Sequence, residues 1–264
     1  MRTAALHNLG CKVNSYETEA MQQLLEAAGY QIVPFHEKAD VYLINTCSVT
    51  NMADRKSRQM LHRARKQNPD AVVVAAGCYV QSASEELKKD LAVDVIIGNN
   101  KKQDLVEILE EYFQEKHQVH VIDIGNTQEY EELKISRIAD HTRAFLKVQD
   151  GCNQFCSYCI IPYTRGRVRS RRSEDVESEV RTLAEKGYRE VVLTGIHLSS
   201  YGCGFYRRER KSPGADSADS PDSGNRADTP GFFRASDCNG GVCIRVSSSP
   251  QALPAFPSFS AERM

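Results

Sequence analysis

Three cysteines stand in one short loop, Gly151-Cys152-Asn153-Gln154-Phe155-Cys156-Ser157-Tyr158-Cys159, with the spacing C-x3-C-x2-C. Three thiolates within so few residues point to a metal site. Structural zinc takes four protein ligands, often as two separated pairs, whereas an iron–sulfur cluster can be held by three thiolates with one iron left open. The triplet therefore favours iron–sulfur over zinc. The bland alternative is a chance cluster of small buried residues, and it is the poorer reading because free cysteines rarely crowd one polar loop without chemistry to do.

Three further cysteines, Cys11, Cys47 and Cys78, are scattered in the chain but share one kind of position. Each falls just past the carboxyl end of an expected strand: residues 2–8, 41–45 and 71–76. Helices are expected between the strands, with Ala20, Met21, Leu24, Leu25 and Ala28 on one face of the first and a polar, basic helix over 51–67. A return strand over 30–33, a helix over 82–89, a strand over 93–97, a helix over 102–113 and a strand over 118–124 continue the alternation. Alternating strands and helices predict a doubly wound parallel sheet, and the carboxyl edge of such a sheet is where ligands bind. Cysteine also favours buried strand ends for packing alone. Its recurrence at the same place in three successive units argues for a second metal site.

Residues 1–125 are thus expected as one domain, 126–142 as a polar linker, and 143–202 as a second, partial domain. In the latter, a strand over 143–149 precedes the cysteine loop, Ser173 caps a helix carrying Val176, Val180 and Leu183, and a strand over 190–195 completes one βαβ unit. Beyond Gly202 the composition changes. Residues 203–264 hold six of the nine prolines and ten serines but a single leucine and a single isoleucine, with only a short strand-like run over 241–247. Such a segment cannot bury enough apolar surface to offset its ordering entropy, so a disordered tail is expected, and its Cys203, Cys238 and Cys243 are read as chance.

Lys plus Arg (34) nearly balances Asp plus Glu (35), so affinity for nucleic acid must come from local patches. Two exist. Arg165, Arg167, Arg169, Arg171 and Arg172 lie close behind the cysteine loop and could clamp phosphates. The basic residues of the 51–67 helix are better read as a solvated face. Tyr158 and Tyr163 could stack on a base or simply pack. No apolar run approaches the roughly 18 residues of a membrane span, and the amino terminus enters a polar loop too soon for a signal peptide. A cytoplasmic protein without a membrane partner is expected, in which nine cysteines serve as ligands or reduced thiols.

The C-x3-C-x2-C loop with Tyr158 before its last cysteine resembles the signature of radical S-adenosylmethionine enzymes. Four ordered motifs narrow the resemblance: residues 9–19 (Leu-Gly-Cys-Lys-Val-Asn-Ser-Tyr-Glu-Thr-Glu), 45–50 (Asn-Thr-Cys-Ser-Val-Thr), 76–78 (Ala-Gly-Cys) and 151–166. Together they resemble the tRNA methylthiotransferases of that superfamily over about residues 1–202, with wording closest to the branch that modifies N6-threonylcarbamoyladenosine. The resemblance implies two [4Fe-4S] clusters, one on Cys152, Cys156 and Cys159 that binds S-adenosylmethionine and generates a 5′-deoxyadenosyl radical, the other on Cys11, Cys47 and Cys78 that carries the sulfur. It implies the anticodon loop of tRNA as substrate, with methylthiolation at C2 of the adenine at position 37, and an electron donor such as flavodoxin or ferredoxin. It also implies further βα units of a barrel and a β-rich RNA-binding domain after residue 202, which this sequence lacks. A truncated or frameshifted reading is therefore expected. An enzyme of this family, its isopentenyladenosine branch, an inactive cluster-binding fragment and a zinc-binding RNA protein are the readings to separate.

Overall fold

The computed structural model describes residues 1–115, 119–135, 143–188 and 190–203, together with the backbone of 243–246. The first sheet is built from strands β1 (Thr3–Asn8), β2 (Gln31–Ile32), β3 (Val41–Thr46), β4 (Val72–Gly77), β5 (Val95–Ile97) and β6 (Val119–His120). Its order is β2-β1-β3-β4-β5-β6 and every pairing is parallel. All six residues of β3 and of β4 are buried, as expected of central strands covered on both faces.

Helices cover the two faces in the doubly wound manner. On one side lie α1 (Lys12–Ala27) and α5 (Leu105–Glu115), through Met21, Leu25, Leu105, Ile108 and Leu109. On the other lie α2 (Asn51–Gln67), α3 (Cys78–Ser82) and α4 (Ser84–Leu87), through Met60, Leu61, Ala64, Val80 and Leu87. The Thr50 side chain caps α2 by accepting from the Ala53 amide at 3.1 Å.

The second sheet holds β7 (Arg143–Asp150), the short β8 (Arg169–Ser170), β9 (Glu190–Gly195) and β10 (Cys243–Val246), in the order β10-β9-β7-β8. β7 and β9 are parallel and are connected through α6 (Ile161–Thr164) and α7 (Ser173–Glu185); β8 runs antiparallel to β7. β10 falls within the 241–247 run, Cys203 at the start of the tail is exposed, and the rest of the tail lies outside the described residues. The ladder shifts register between Lys147 and Gln149, a bulge placed just ahead of the cysteine loop.

The apolar stripe of α1 serves two cores at once. Met21 and Leu25 enter the first sheet's core, while Tyr16 and Ala20 pack with Ala144, Leu146, Val176, Val180, Leu183, Val191 and Leu193 of the second unit. Leu133 and Ile135, in the stretch expected as a linker, are buried in that same core, and the Tyr16 hydroxyl donates to the Leu133 carbonyl. The two sheets are thereby packed together through one helix.

Several elements differ from their expected bounds. The strand over 118–124 shrinks to Val119–His120, and the helix over 82–89 shrinks to α4, with α3 running ahead of it directly after β4. Arg172 is the cap residue of α7 and Ser173 is its first helical residue, with no side-chain cap bond, so the start of this helix is favoured instead by Glu174 and Asp175 in its first turn.

Candidate metal centres

Cys11 is the residue before α1, Cys47 follows β3 and Cys78 begins α3 directly after β4. Since β1, β3 and β4 are consecutive neighbours in the sheet, the three thiols line up along its carboxyl edge. Cys11 is exposed, whereas Cys47 and Cys78 are buried. A side chain on Gly10 would meet Cβ and Sγ of Cys47 at 2.8 Å, so the first loop approaches the second as closely as a bare backbone allows. Burial pushes the Cys47 thiol up, and the neighbouring sulfurs of Cys78 and Cys11 push the same way against the Val49 amide.

The second triplet sits between β7 and α6. Cys152 and Cys159 are half-buried and Cys156 is exposed. Gly151 has φ +71°, and a Cβ there would meet the Arg167 carbonyl oxygen at 2.0 Å. The Cys152 amide donates to the Gly166 carbonyl at 3.1 Å and the Cys159 amide to that of Cys156 at 2.9 Å, and Phe155 and Tyr163 form an edge-on pair 5.7 Å apart. Phe155 itself has φ +48° and carries the Arg167 guanidinium 4.4 Å above its ring.

Among the described residues no three His, Cys, Asp or Glu side chains are gathered to hold a single metal ion. An iron–sulfur cluster makes a different demand, because each thiolate binds its own iron and the sulfurs surround a volume instead of converging on a point. Two all-cysteine triplets, one against a glycine whose missing side chain leaves the Cys47 sulfur room and one on a loop backed by Gly151, supply the donor set that such clusters take. The residues present therefore fit such clusters.

Between the triplets lies a buried ionic network. Glu17 of α1 accepts from Lys102, from Lys147 at 2.7 Å and from Arg165 at 2.9 Å, and Asp150 pairs with Lys147 at 2.7 Å and with Arg165 at 3.1 Å. Burial opposes the charge on Glu17, yet Arg165, Lys102 and Lys147 hold its carboxyl well below the usual range. Burial likewise opposes the charge on Asp150, which Lys147, Arg165 and Arg169 hold low. Glu131 goes the other way: burial raises it although it accepts from the Lys102 and Gln103 amides.

This network corrects the expected phosphate clamp. Arg165, Arg169 and Arg171 are 1%, 3% and 1% exposed, and Arg171 is paired with Glu179 at 2.6 Å. Only Arg167 and Arg172 of that run reach solvent. On α2, Arg55, Lys56, Arg58, Arg63 and Lys66 are exposed as a solvated face, while Arg65 is tied to Asp94. Tyr158 and Tyr163 are 77% and 66% exposed, so neither packs as a core residue. The sequence motifs assign no role to Glu17, Lys102, Lys147 or Asp150. Their signal was a charge inside an apolar pattern: Lys147 in Ala-Phe-Leu-Lys-Val, and Glu17 in line with Val13, Ala20, Met21 and Leu24.

Residues 3–98 match the family model UPF0004, an uncharacterized protein family, and residues 146–213 match that of the radical SAM superfamily. The chain is 47% identical over 203 residues to the threonylcarbamoyladenosine tRNA methylthiotransferase MtaB of Bacillus subtilis, covering 76% of this chain and 45% of that protein. It is 45% identical over 199 residues to the MtaB of Aquifex aeolicus, covering 75% and 48%. A tRNA-2-methylthio-N(6)-dimethylallyladenosine synthase of Staphylococcus epidermidis is 36% identical over 208 residues, covering 76% and 40%. The chain spans about half the length of the curated relatives it matches. In fold it is similar to the radical S-adenosylmethionine methyltransferase TsrM from Kitasatospora setae with cobalamin and a [4Fe-4S] cluster bound, with a TM-score of 0.52 at 14% identity, over 79% of this chain and 52% of that one. Among the described residues no helix is long and apolar enough to cross a membrane.

Proposed function

The chain belongs to the radical S-adenosylmethionine tRNA methylthiotransferase family, and we propose that it serves the 2-methylthiolation of N6-threonylcarbamoyladenosine at position 37 of the tRNA anticodon loop. The observation that carries this reading is the pairing of two cysteine triplets: Cys11, Cys47 and Cys78 on one sheet edge, and Cys152, Cys156 and Cys159 on the loop after β7. Each triplet would hold one [4Fe-4S] cluster. When bound, the clusters and S-adenosylmethionine supply hydrogen removal from the base, the sulfur and the methyl group.

The chain's own residues bind and orient. The thiolates of each triplet would hold three irons and leave a fourth for a non-protein ligand. Phe155, Tyr158 and Tyr163 offer ring faces and edges beside the second triplet for a base splayed out of a single-stranded loop. Arg167 and Arg172 supply exposed charge for its phosphates. An electron donor such as flavodoxin or ferredoxin and a cytoplasmic setting belong to the same proposal.

The threonylcarbamoyladenosine branch is preferred over the dimethylallyladenosine branch because relatives of the first kind reach 47% identity and relatives of the second kind 38%. A cluster-binding chain that does not turn over by itself is the second reading, favoured by the 45% of the B. subtilis relative that has a counterpart here. The test incubates tRNA anaerobically with the reconstituted chain, reductant and S-adenosylmethionine, alongside the B. subtilis relative, and reads the nucleosides by mass spectrometry. Iron and sulfide without product favours the second reading, product on N6-dimethylallyladenosine instead overturns the branch, and zinc in place of iron overturns both.

A further inference from the structure

Arg165 lies six residues beyond Cys159, at the carboxyl end of α6, and its side chain is buried among the residues that carry both triplets. One guanidinium nitrogen, Nη2, donates to Asn14 Oδ1 at 2.5 Å and to Glu17 Oε2 at 3.1 Å; the other, Nη1, donates to Glu17 Oε1 at 2.9 Å and to the two Asp150 oxygens at 3.1 and 3.2 Å. Two of these partners, Asn14 and Asp150, brace the backbone of the cysteine loops. Asn14 donates in turn to the carbonyls of Leu9 at 2.7 Å and Thr46 at 2.9 Å, which flank Cys11 and precede Cys47. Asp150 accepts from the Gly151 amide at 2.8 Å, the residue before Cys152. The backbone next to Arg165 completes the ring: the Thr164 carbonyl accepts from Asn99 at 2.7 Å, and the same Asn99 amide lies 3.6 Å from Cys78 Sγ.

We propose that Arg165 is the positioning residue that couples the two cysteine sites, clamping the Cys11, Cys47 and Cys78 loops against the Cys152 loop and placing a fixed positive charge beside the first site. The inference rests on the reading of both triplets as cluster sites. The hydrogen-bond geometry carries it, and two electrostatic observations support it. A guanidinium presents a rigid fork that can bond Glu17 on both oxygens and still reach Asn14 and Asp150, which a lysine ammonium cannot. Burial opposes its charge, and Cys78, Glu17 and Asp150 outweigh that opposition and keep it protonated. Finally, Lys102, Lys147, Arg165 and Arg169 outnumber Glu17, Asp150 and Glu131, so the region between the sites has surplus positive charge that favours thiolates and added electrons nearby.

Two variants of the full chain test this, R165Q without the charge and R165K with it but without the fork. After anaerobic loading with ferrous iron and sulfide, in a background where Cys152, Cys156 and Cys159 are alanine, the first site is titrated against redox dyes. R165Q should lower its reduced-to-oxidised ratio at a fixed poise by about tenfold, a shift of about 59 mV for one electron, and R165K should restore the ratio. An unchanged ratio in R165Q, or an equal fall in R165K, overturns the charge assignment. In the metal-free chain with all cysteines present, amide exchange in R165K should quicken at residues 9–14 and at 150–160 together. Quickening on one side only, or on neither, overturns the coupling, and this arm carries the test by itself if R165Q does not fold. Absence of iron from the unaltered chain would instead sink the cluster reading, an outcome the exchange arm does not share.

Discussion

Gly10 and Cys47 touch across two loops: a Cβ on Gly10 would lie 2.8 Å from the Cys47 sulfur, and the Gly10 backbone has φ +104°. Both facts weigh against any other residue there. A left-handed backbone costs an L-residue about 1–2 kcal/mol, and the clash falls on a buried side chain that has no room to retreat. G10A should therefore lower the unfolding midpoint and empty the Cys11, Cys47 and Cys78 site while sparing the other triplet, read as half of the iron of the unaltered chain. G29A is the control, since Gly29 has φ +85° but nothing within 4 Å of its would-be Cβ. It should lose stability from strain alone and keep its iron.

Glu17 is one carboxylate facing three cations, Lys102 behind the first sheet and Lys147 and Arg165 of the second unit, and its side chain is 1% exposed. Removing one partner of a buried ionic set leaves the others uncompensated, at a cost of about 3–5 kcal/mol. E17Q should lower the midpoint of denaturant unfolding, with a loss of unfolding free energy of that order. The same change at Glu85, which pairs with Lys88 on the surface, should leave the midpoint where it is. Equal effects would mean that the network between the sheets contributes no more than a solvated pair.

The first sheet was legible because its signals are local and redundant. β3 and β4 are continuous apolar runs, each ends at a cysteine, and α2 starts at Asn51 and stops at Gln67 where the polar period does. The triplets were legible because cysteine spacing is a property of the sequence itself. The interface between the sheets was not. Arg165, Arg169 and Arg171 read as a basic surface because their carboxylate partners, Glu17, Asp150 and Glu179, are distant in the sequence or hidden in helices, and only the fold shows which arginines they neutralise. The 126–142 stretch misled for a related reason: Leu133 and Ile135 are two apolar residues in a polar run, too few to make a period but enough to enter a core.

Tyr16, Tyr130 and Tyr201 make the alkaline limb of stability specific. Burial raises all three phenols, Tyr201 to about 12, and each hydroxyl donates to a carbonyl: Leu133, Lys147 at 2.8 Å and Arg171 at 2.9 Å. A group raised on folding contributes stability that is complete below its unfolded value, about 10 for tyrosine, and that is lost as pH climbs through the folded value. Stability should thus fall as pH climbs above about 10, with the Tyr201 share of the loss complete near 12 and tyrosinate absorbance rising late. Y201F removes one ionisable phenol and should flatten the fall. A tyrosinate signal centred near the free amino acid's value in the folded chain would contradict the burial of these hydroxyls.

Arg167 and Arg171 separate recognition from stability within one short run. Arg167 is exposed over Phe155, beside the second cysteine loop, whereas Arg171 is buried on Glu179 and accepts a hydrogen bond at its carbonyl from Tyr201. If the exposed charge meets single-stranded RNA, R167A should weaken binding of an anticodon stem-loop and lower the slope of log affinity against log salt by about 0.7, the share of one phosphate contact, with the unfolding midpoint nearly unchanged. R171A should do the reverse. It strands the Glu179 carboxylate in the core and should cost about 3–5 kcal/mol of stability while leaving the salt slope alone at temperatures where the chain is folded. Filter binding across a salt series, paired with denaturant curves for both variants, reads the two effects separately. A slope that falls with R171A and not with R167A would place the RNA contact elsewhere on the molecule and return the loop's arginine to mere packing on Phe155.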